Sequence, residues 1–165
     1  MSNPRLDDQL CFALYAASRA VISAQRSGLR ELGLTYPQYL VMLVLWEEGE
    51  VPVGRLCERL HLDSGTVSPL VRRLESAGLV VRRRSASDER STVVAVTQEG
   101  AAMVGRADCV SAALGDSIAA GIDDESAAEP QFSVSDVGPL RSALHNLIDE
   151  LERLQPKAEP RGSAK

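Results

Sequence analysis

The sequence has few aromatic residues and no long hydrophobic run. Aromatic side chains make up 4% of its 165 residues, and the longest apolar stretch, Leu40 to Trp46, is far shorter than the ~20 residues that cross a bilayer. Residues 1–8 contain no basic segment followed by an apolar one, so we expect no secretory signal. The composition therefore predicts one cytoplasmic domain with a packed core and no membrane span.

Cysteine and histidine are also scarce. Cys11, Cys57 and Cys109 have no CxxC spacing, and His61 and His145 have no partners at the spacing of metal ligands. An odd number of isolated thiols in a reducing compartment argues against a disulfide framework and against a zinc site. The sequence thus predicts no metal and no cofactor, and each thiol has to be considered separately.

Charge is distributed unevenly along the chain. The formal net charge is −5, but residues 55–90 carry eight arginines against five acidic side chains, a net +3 that leaves −8 on the remainder. A local excess of arginine can bind phosphates even when the whole chain is acidic. The sequence therefore favours a nucleic-acid interface confined to residues 55–90.

The N-terminal part shows helical spacing of apolar residues. Residues 6–22 predict a first helix that begins at an Asp7 or Asp8 cap and buries one apolar stripe. The stripe consists of Leu10, Leu14, Ala17 and Val21. Thr35 and Gln38 have the spacing of a capping box, with Pro37 in the first turn, and predict a largely buried second helix up to Trp46.

Two further helices and a hairpin follow. Pro52 opens a short helix, residues 61–63 make a tight turn, and Asp63 or Ser64 caps another helix that Gly78 ends. The segments 79–84 and 91–97 are rich in β-branched residues and flank a polar tip, which predicts a β-hairpin. Helix, tight turn, helix and hairpin is the order of a winged helix-turn-helix.

The C-terminal part is less regular. It predicts a helix over 99–113, a loop or linker over 115–135, a helix over 139–154 and a disordered tail over 155–165. The helix at 139–154 carries an apolar seam long enough to require a partner. The expected fold is therefore mainly α with a small β-hairpin wing, a winged helix-turn-helix whose N- and C-terminal helical segments form a dimerisation region.

The second helix of the helix-turn-helix carries the candidate DNA contacts. Its exposed face presents hydroxyl groups near the start and guanidinium groups further along, namely Ser64, Thr66, Ser68, Arg72 and Arg73. Such groups reach phosphates and base edges. On the hairpin we expect contacts from Arg82, Arg84 and Arg90, with Asp88 orienting Arg90 for a narrow minor groove. The alternative is a solvated charged hairpin with no ligand.

Four stretches together resemble the MarR family, and within it the organic-hydroperoxide-sensing repressors of the OhrR type. They are LDDQLCFALYAASRA, LTYPQYLVMLVLWE, HLDSGTVSPLVRRLESAGLV and SASDERSTVVAVTQEG. The resemblance implies a homodimeric chain over 1–154 that reads a palindromic operator in double-stranded DNA. Its winged helix would span about 37–98 and its dimerisation helices about 6–32 and 99–154.

The resemblance also gives the cysteines roles. It implies that Cys11 is the redox sensor and that Tyr15 and Tyr36 donate hydrogen bonds to its sulfur. Cys11 is expected in the opening turns of the first helix, where the helix dipole favours a thiolate, and Tyr15 lies one helical turn away. Cys109 is the candidate resolving thiol, and a low-molecular-weight thiol is the alternative. Some relatives have a further tyrosine where this chain has Gln25, a difference whose effect on the sensor the sequence leaves open.

Three functions stay open at this point. The first is a repressor, not an enzyme, that releases operator DNA when an organic hydroperoxide oxidises Cys11 and so derepresses a peroxide-detoxification gene. The second is a MarR-type repressor that responds to a small aromatic ligand bound without a covalent bond. The third is a thiol peroxidase in which Cys11 turns over with a reductant.

Overall fold

The structure, a computed structural model, describes residues 4–84, 91–122 and 133–154. The chain divides into two compact units, residues 1–116 and residues 117–165. The helices are α1 (Leu10–Ala24), α2 (Arg26–Leu32), α3 (Tyr36–Glu48), α4 (Val53–Leu60), α5 (Ser64–Ser76), α6 (Gln98–Ala102), α7 (Asp108–Ile122) and α8 (Val137–Leu154). The strands are β1 (Val51–Pro52), β2 (Val80–Arg84) and β3 (Thr92–Val96).

Helix α3 is the centre of the core in the first unit. The predicted capping box is confirmed: the backbone N–H of Thr35 donates to Oε1 of Gln38 at 2.9 Å, and Pro37 lies in the first turn. Val41, Met42 and Leu45 are almost completely buried. Burying such side chains stabilises the fold by about 1.5–3 kcal/mol each, so α3 anchors the elements packed around it.

The predicted helix-turn-helix is confirmed. Helix α4 buries Leu56 and packs Cys57 against the core, while α5 buries Val67, Val71 and Leu74. His61 ends α4 in the left-handed region, with φ of 51°, and α5 begins three residues later. Gly78, with φ of 74°, ends the α5 segment as expected, because glycine adopts this conformation without a Cβ clash.

Asp63 caps α5, as the sequence predicts. Its Oδ1 accepts from the backbone N–H of Thr66 at 2.9 Å, and its Oδ2 accepts from the Thr66 hydroxyl at 3.1 Å. These hydrogen bonds lower the pKa of the Asp63 carboxyl below its ordinary value. The start of the helix that carries most candidate DNA contacts is therefore held by an ionised side chain.

The hairpin forms as predicted, and a third strand joins it. The described strands are antiparallel in the order β1-β3-β2, with Arg82 opposite Val94 and Val51 also opposite Val94 on the other side. Strand β1 was not predicted, because a strand of two residues is too short to show an alternating pattern. Val80 and Val94 are buried, so the sheet contributes one apolar face to the core.

A close backbone contact joins the hairpin to α6. A Cβ placed on Gly100 would collide with the carbonyl oxygen of Leu79, so only glycine fits there. The indole Nε1 of Trp46 donates to the Gly100 carbonyl at 3.0 Å, and the Thr97 hydroxyl donates to the Gly78 carbonyl at 2.7 Å. We call this contact, formed by Leu79, Thr97 and Gly100, the α6 joint.

The start of α1 differs from the prediction. The helix begins at Leu10 with Gln9 in the cap position, and neither Asp7 nor Asp8 caps it. Those aspartates occupy a turn that is closed by the hydrogen bond from the Gln9 N–H to the Leu6 carbonyl. The predicted stripe is also not buried within the chain, because α1 has no buried residue and Leu10 is 63% exposed.

The C-terminal elements also differ from the prediction. The expected single helix over 99–113 is interrupted by a 3₁₀ turn at Met103–Arg106, and α7 continues to Ile122 inside the expected loop. The alanine-rich stretch after Gly115 thus forms helix despite its weak apolar periodicity, as the high helix propensity of alanine allows. Helix α8 starts at Val137, two residues earlier than expected, and residues 123–132 and the predicted tail lie outside the described residues.

The α6 joint predicts that one methyl group added at Gly100 strongly lowers the stability of the fold. Gly100→Ala should lower the free energy of unfolding by roughly 1–3 kcal/mol or more, because the backbone of Leu79 has to move. Gly54→Ala in α4 is the matched control, since nothing lies within 4 Å of the added carbon, and it should leave stability unchanged or raise it by up to ~1 kcal/mol. Urea unfolding of both variants tests the joint, and an equal effect at the two sites would contradict it.

The Asp63 cap predicts a pH effect on stability. Because its folded pKa is lowered, the cap stabilises the fold fully above the ordinary aspartate value of about 3.9, and the stabilisation is lost as the pH falls through the folded pKa. At pH 7, Asp63→Ala should lower the melting temperature more than Asp63→Asn, which keeps an oxygen acceptor. Thermal melting at pH 7 and below pH 3 tests this, and an Ala variant that melts with the wild type at pH 7 would exclude the cap.

Candidate nucleic-acid interface and cysteine sites

Helix α5 presents its polar side away from the core. Its three buried residues lie on one face, and Ser64, Thr66, Arg72 and Arg73 are exposed, while Ser68 is half-buried. The hydroxyl proton of Thr66 is engaged by Asp63, so this side chain is available to a ligand as an acceptor only. The helix therefore offers two serine hydroxyls near its start and two guanidinium groups further along.

The hairpin continues this polar surface. Arg82, Arg83 and Arg84 at the end of β2 are exposed, whereas Val80 at its start is buried. The predicted contacts Asp88 and Arg90 lie outside the described residues. Arg83, which the sequence analysis did not select, is as exposed as its neighbours and is a candidate on the same strand.

Three arginines of the basic segment are neutralised within the fold. Arg55 binds Glu48 through Nε at 2.9 Å and also contacts Glu58, and Arg59 binds Glu48 and Glu47. The charge count over 55–90 missed this pairing because both of the α3 glutamates precede the counted segment. These ion pairs tie α4 to the end of α3.

Arg82 is the third neutralised arginine. Its guanidinium holds the Glu75 carboxylate through Nε at 2.8 Å and Nη2 at 2.6 Å, and its backbone N–H reaches Oε1 of Glu75 at 3.3 Å. The hydrogen bond from the Arg82 side chain is the main cause that lowers the pKa of Glu75. No sequence pattern predicts this pair, since the two residues lie seven positions apart across a helix end and a turn.

The remaining arginines of the segment stay available. Within the described residues, Arg72, Arg73, Arg83 and Arg84 have no ion-pair partner. They lie on the exposed side of α5 and at the end of β2. Fold-internal pairing thus leaves the uncompensated positive charge on α5 and β2, the two elements that a winged helix uses to contact DNA.

Cys11 is the second residue of α1 and is exposed. Its sulfur makes no hydrogen bond with any residue that the structure describes. The first N–H groups of a helix have no partner within the helix, so donors for a sulfur anion lie close by in the backbone. The thiol is therefore accessible and has free donors beside it.

The single chain does not bring the two predicted tyrosines to Cys11. The Tyr15 hydroxyl accepts a hydrogen bond from Nη1 of Arg19 at 3.1 Å, and the Arg19 guanidinium lies 5.7 Å from the Tyr15 ring centre. The phenolic hydrogen of Tyr15 stays free to donate. Tyr36 is the first residue of α3 and packs, half-buried, against the core.

Cys109 has a different environment from Cys11. It is half-buried near the start of α7, and its Sγ–H donates to the Gly28 carbonyl at 3.4 Å. Burial is the main cause that raises the pKa of the Cys109 thiol, and the charge of Glu31 raises it further. Gly28 has no room for a Cβ against the Cys109 backbone, so α2 and α7 are in direct contact here.

Gln25 marks the junction of α1 and α2. Its backbone N–H closes α1 by donating to the Val21 carbonyl at 3.1 Å. The side-chain oxygen Oε1 is buried and has no hydrogen-bond partner in the part of the chain that the structure describes. Leaving a buried acceptor without a partner costs about 1–3 kcal/mol of stability, and Gln25 carries this cost in the single chain.

Neither a metal-binding cluster nor a membrane-spanning helix is found in the described ranges. No cluster of histidine, cysteine, aspartate and glutamate in residues 4–84, 91–122 and 133–154 is suited to hold a metal ion. In the same ranges no helix is both long and apolar enough to span a bilayer.

The chain is similar to known regulators over most of its length. Residues 24–106, half of the chain, match the family of SarA/Rot transcriptional regulators. The organic hydroperoxide resistance transcriptional regulator of Bacillus subtilis is 39% identical over 90% of this chain and 93% of its own length. The regulator TtmR of Methylorubrum extorquens is 43% identical over 85% of this chain and 69% of its own length.

Solved structures agree with the sequence comparisons. Reduced AbfR bound to DNA matches with a TM-score of 0.69 and 30% identity, covering 92% of this chain and 94% of its own. AbfR is a Staphylococcus epidermidis protein that has also been solved in an overoxidised state on DNA and in a disulfide form. These relatives are transcriptional regulators, and the winged-helix architecture predicted from the sequence is confirmed. The chain therefore belongs to the MarR family of transcriptional regulators, in the type represented by the organic hydroperoxide resistance regulators.

Proposed function

We propose that this chain is a homodimeric transcriptional repressor that binds a palindromic operator and releases it when an organic hydroperoxide oxidises Cys11. The observation that carries the DNA-binding part is the segregation of charge in residues 55–90: three arginines are neutralised by glutamates, and the four that have no such partner among the described residues lie on α5 and β2. DNA-bound AbfR supports the same use of the fold. Since the proposed ligand is operator DNA, we expect the protein to act in the cytoplasm.

In this proposal α5 enters the major groove of the operator. Ser64 and Ser68 donate near the start of the helix, Thr66 accepts, and Arg72 and Arg73 bind phosphates or base edges. The hairpin lies along the neighbouring groove, where Arg84 contacts the backbone. Arg90, oriented by Asp88, reads the minor groove.

Dimerisation follows from the apolar surface that the single chain leaves exposed. On α1, Leu10 is 63% exposed, and the seam of α8 is exposed at Leu140, Ile148, Leu151 and Leu154. Apolar patches of this kind in a protein usually mark an interface with another subunit. We assign dimerisation to residues 6–32 and 99–154 and DNA reading to residues 37–98. The dimer then presents two α5 helices that have to match half-sites about one helical turn, or 34–36 Å, apart.

Cys11 is the proposed sensor because it is the exposed thiol of the chain. Its thiolate attacks one peroxide oxygen, the O–O bond breaks, and the sulfur becomes a sulfenic acid while the alkoxide takes up a proton and leaves as an alcohol. The hydroperoxide is the oxidant. Tyr15 and Tyr36 donate hydrogen bonds to the sulfur once the dimer brings them to it, since the single chain does not.

The sulfenic acid then reacts with a second thiol. Two features make Cys109 a poor resolving group: its pKa is raised by burial, and its Sγ–H is bound to Gly28. Since the thiolate is the attacking species, a low-molecular-weight thiol is the better partner. It condenses with the sulfenic acid to give a mixed disulfide and water, and the oxidised dimer moves its α5 helices out of register with the operator. The protein reacts once per oxidation event and is a regulator, not a peroxidase.

The proposed DNA contacts predict that arginines within residues 55–90 differ in their effect on the salt dependence of operator binding. Arg72→Gln should reduce the slope of log K against log salt concentration by about 1.8, because the substitution removes one phosphate contact in each subunit of the dimer. Arg55→Gln is the control, since Glu48 and Glu58 already neutralise that guanidinium, and should leave the slope unchanged. Fluorescence anisotropy with operator DNA at several salt concentrations measures both, and equal slope changes would contradict the assignment.

The redox part predicts that one thiol controls release. Cys11→Ser should bind the operator like the reduced wild type and stay bound when cumene hydroperoxide is added, because serine cannot form a sulfenic acid. Cys57→Ser, which alters a thiol packed against the core, should still be released by the peroxide. Gel-shift titration with the peroxide in the presence of a small thiol separates the two variants, and release of the Cys11→Ser protein would exclude Cys11 as the sensor.

A further inference from the structure

Arg82 is in a different state from Arg83 and Arg84, its neighbours in β2. Its guanidinium and its backbone N–H both bind Glu75, whereas Arg83 and Arg84 have no ion-pair partner in the described ranges. We infer that the Glu75–Arg82 pair is a brace that fixes the angle between α5 and the hairpin. Arg82 is then a positioning residue and not a phosphate ligand. The inference rests on the proposed DNA-binding function and assigns these two residues a role within it.

The geometry of the pair suits a mechanical role. Nε and Nη2 of Arg82 both lie within 2.8 Å of Oε2 of Glu75, and the Arg82 backbone N–H reaches Oε1 at 3.3 Å. Both carboxylate oxygens are therefore used, one by the side chain and one by the strand itself. A guanidinium held through more than one donor, as here, is fixed in orientation as well as in position.

The brace joins two elements that meet at a tight turn. Glu75 lies in the last turn of α5 and Arg82 is the third residue of β2, and between them the chain passes through Gly78 with φ of 74°. The α6 joint already holds the turn itself, since the Thr97 hydroxyl donates to the Gly78 carbonyl at 2.7 Å. The Glu75–Arg82 pair adds a connection between the helix and the strand beyond that joint.

Charge balance argues against phosphate binding by Arg82. The guanidinium charge is matched by a carboxylate at 2.6 Å, so a phosphate at the same place would meet a nearly neutral pair and a nearby negative oxygen. The side chains of Arg82 and Glu75 are each about one-third exposed, which also limits the access of solvent to Arg82. The counterions that DNA binding releases therefore come from contacts made by other arginines.

The test compares operator binding of Glu75→Gln and Arg82→Gln with that of the wild type over a range of salt concentrations. A brace predicts that each variant binds about fivefold more weakly with an unchanged salt slope, and that the double variant is no weaker than either single one. Arg84→Gln is the matched control on the same strand and should reduce the slope by about 1.8, since the dimer loses one phosphate contact in each subunit. Glu50→Gln, which removes one negative charge outside the pair, should bind as the wild type does.

Two results would overturn the brace while leaving DNA binding intact. Tighter or unchanged binding by Glu75→Gln would show that the carboxylate only repels DNA, and a slope reduced by about 1.8 in Arg82→Gln would show a phosphate contact in each subunit. Far-ultraviolet circular dichroism of each variant checks that it is folded. If Glu75→Gln were unfolded, the pair would be required for folding, and a role limited to fixing the angle between α5 and the hairpin would be excluded. Failure of the wild type itself to bind any operator would overturn the proposed function, and the brace with it.

Discussion

The DNA-reading half of the chain depends on the α6 joint, a backbone contact that tolerates no side chain. Because Gly100 lies directly against the Leu79 carbonyl, the end of α5, the start of β2 and the start of α6 form one connected region. Trp46 extends this region into α3 through its hydrogen bond to Gly100, and α3 begins with Tyr36, a proposed partner of the sensor sulfur. A movement at the start of α3 therefore has a rigid route to α5, because packed interiors deform little.

The second organising feature is the pairing of charges inside the fold. The chain is acidic overall, yet glutamates of α3, α4 and α5 bind Arg55, Arg59 and Arg82, so the arginines of residues 55–90 that have no ion-pair partner in the described part of the chain lie on α5 and β2. Exposed ion pairs contribute at most ~1 kcal/mol each, so their value to the protein lies more in where they leave positive charge than in stability. A surface with a few unpaired arginines binds phosphates in a defined place and does not make the whole chain a polyanion binder.

Local signals made part of this structure predictable. The capping box of Thr35 and Gln38, the Asp63 cap and the Gly78 turn are all encoded within four residues, and each was predicted correctly. The ion pair of Glu75 with Arg82 and the Trp46–Gly100 contact join distant positions, and no sequence pattern reports them. The stripe on α1 was recognised as apolar, but it is not buried within the single chain, because periodicity shows that a face needs burial and not which chain buries it.

In the proposed mechanism, one exposed sulfur controls whether the paired α5 helices fit the operator. A protein with Cys11 as the remaining thiol, made by the substitutions Cys57→Ser and Cys109→Ser, tests this in a DNase footprinting experiment with an organic hydroperoxide and a small thiol. We expect full operator protection before oxidation, complete loss after one equivalent of peroxide, and recovery on reduction. Protection that persists while mass spectrometry shows Cys11 fully converted to the mixed disulfide would contradict it.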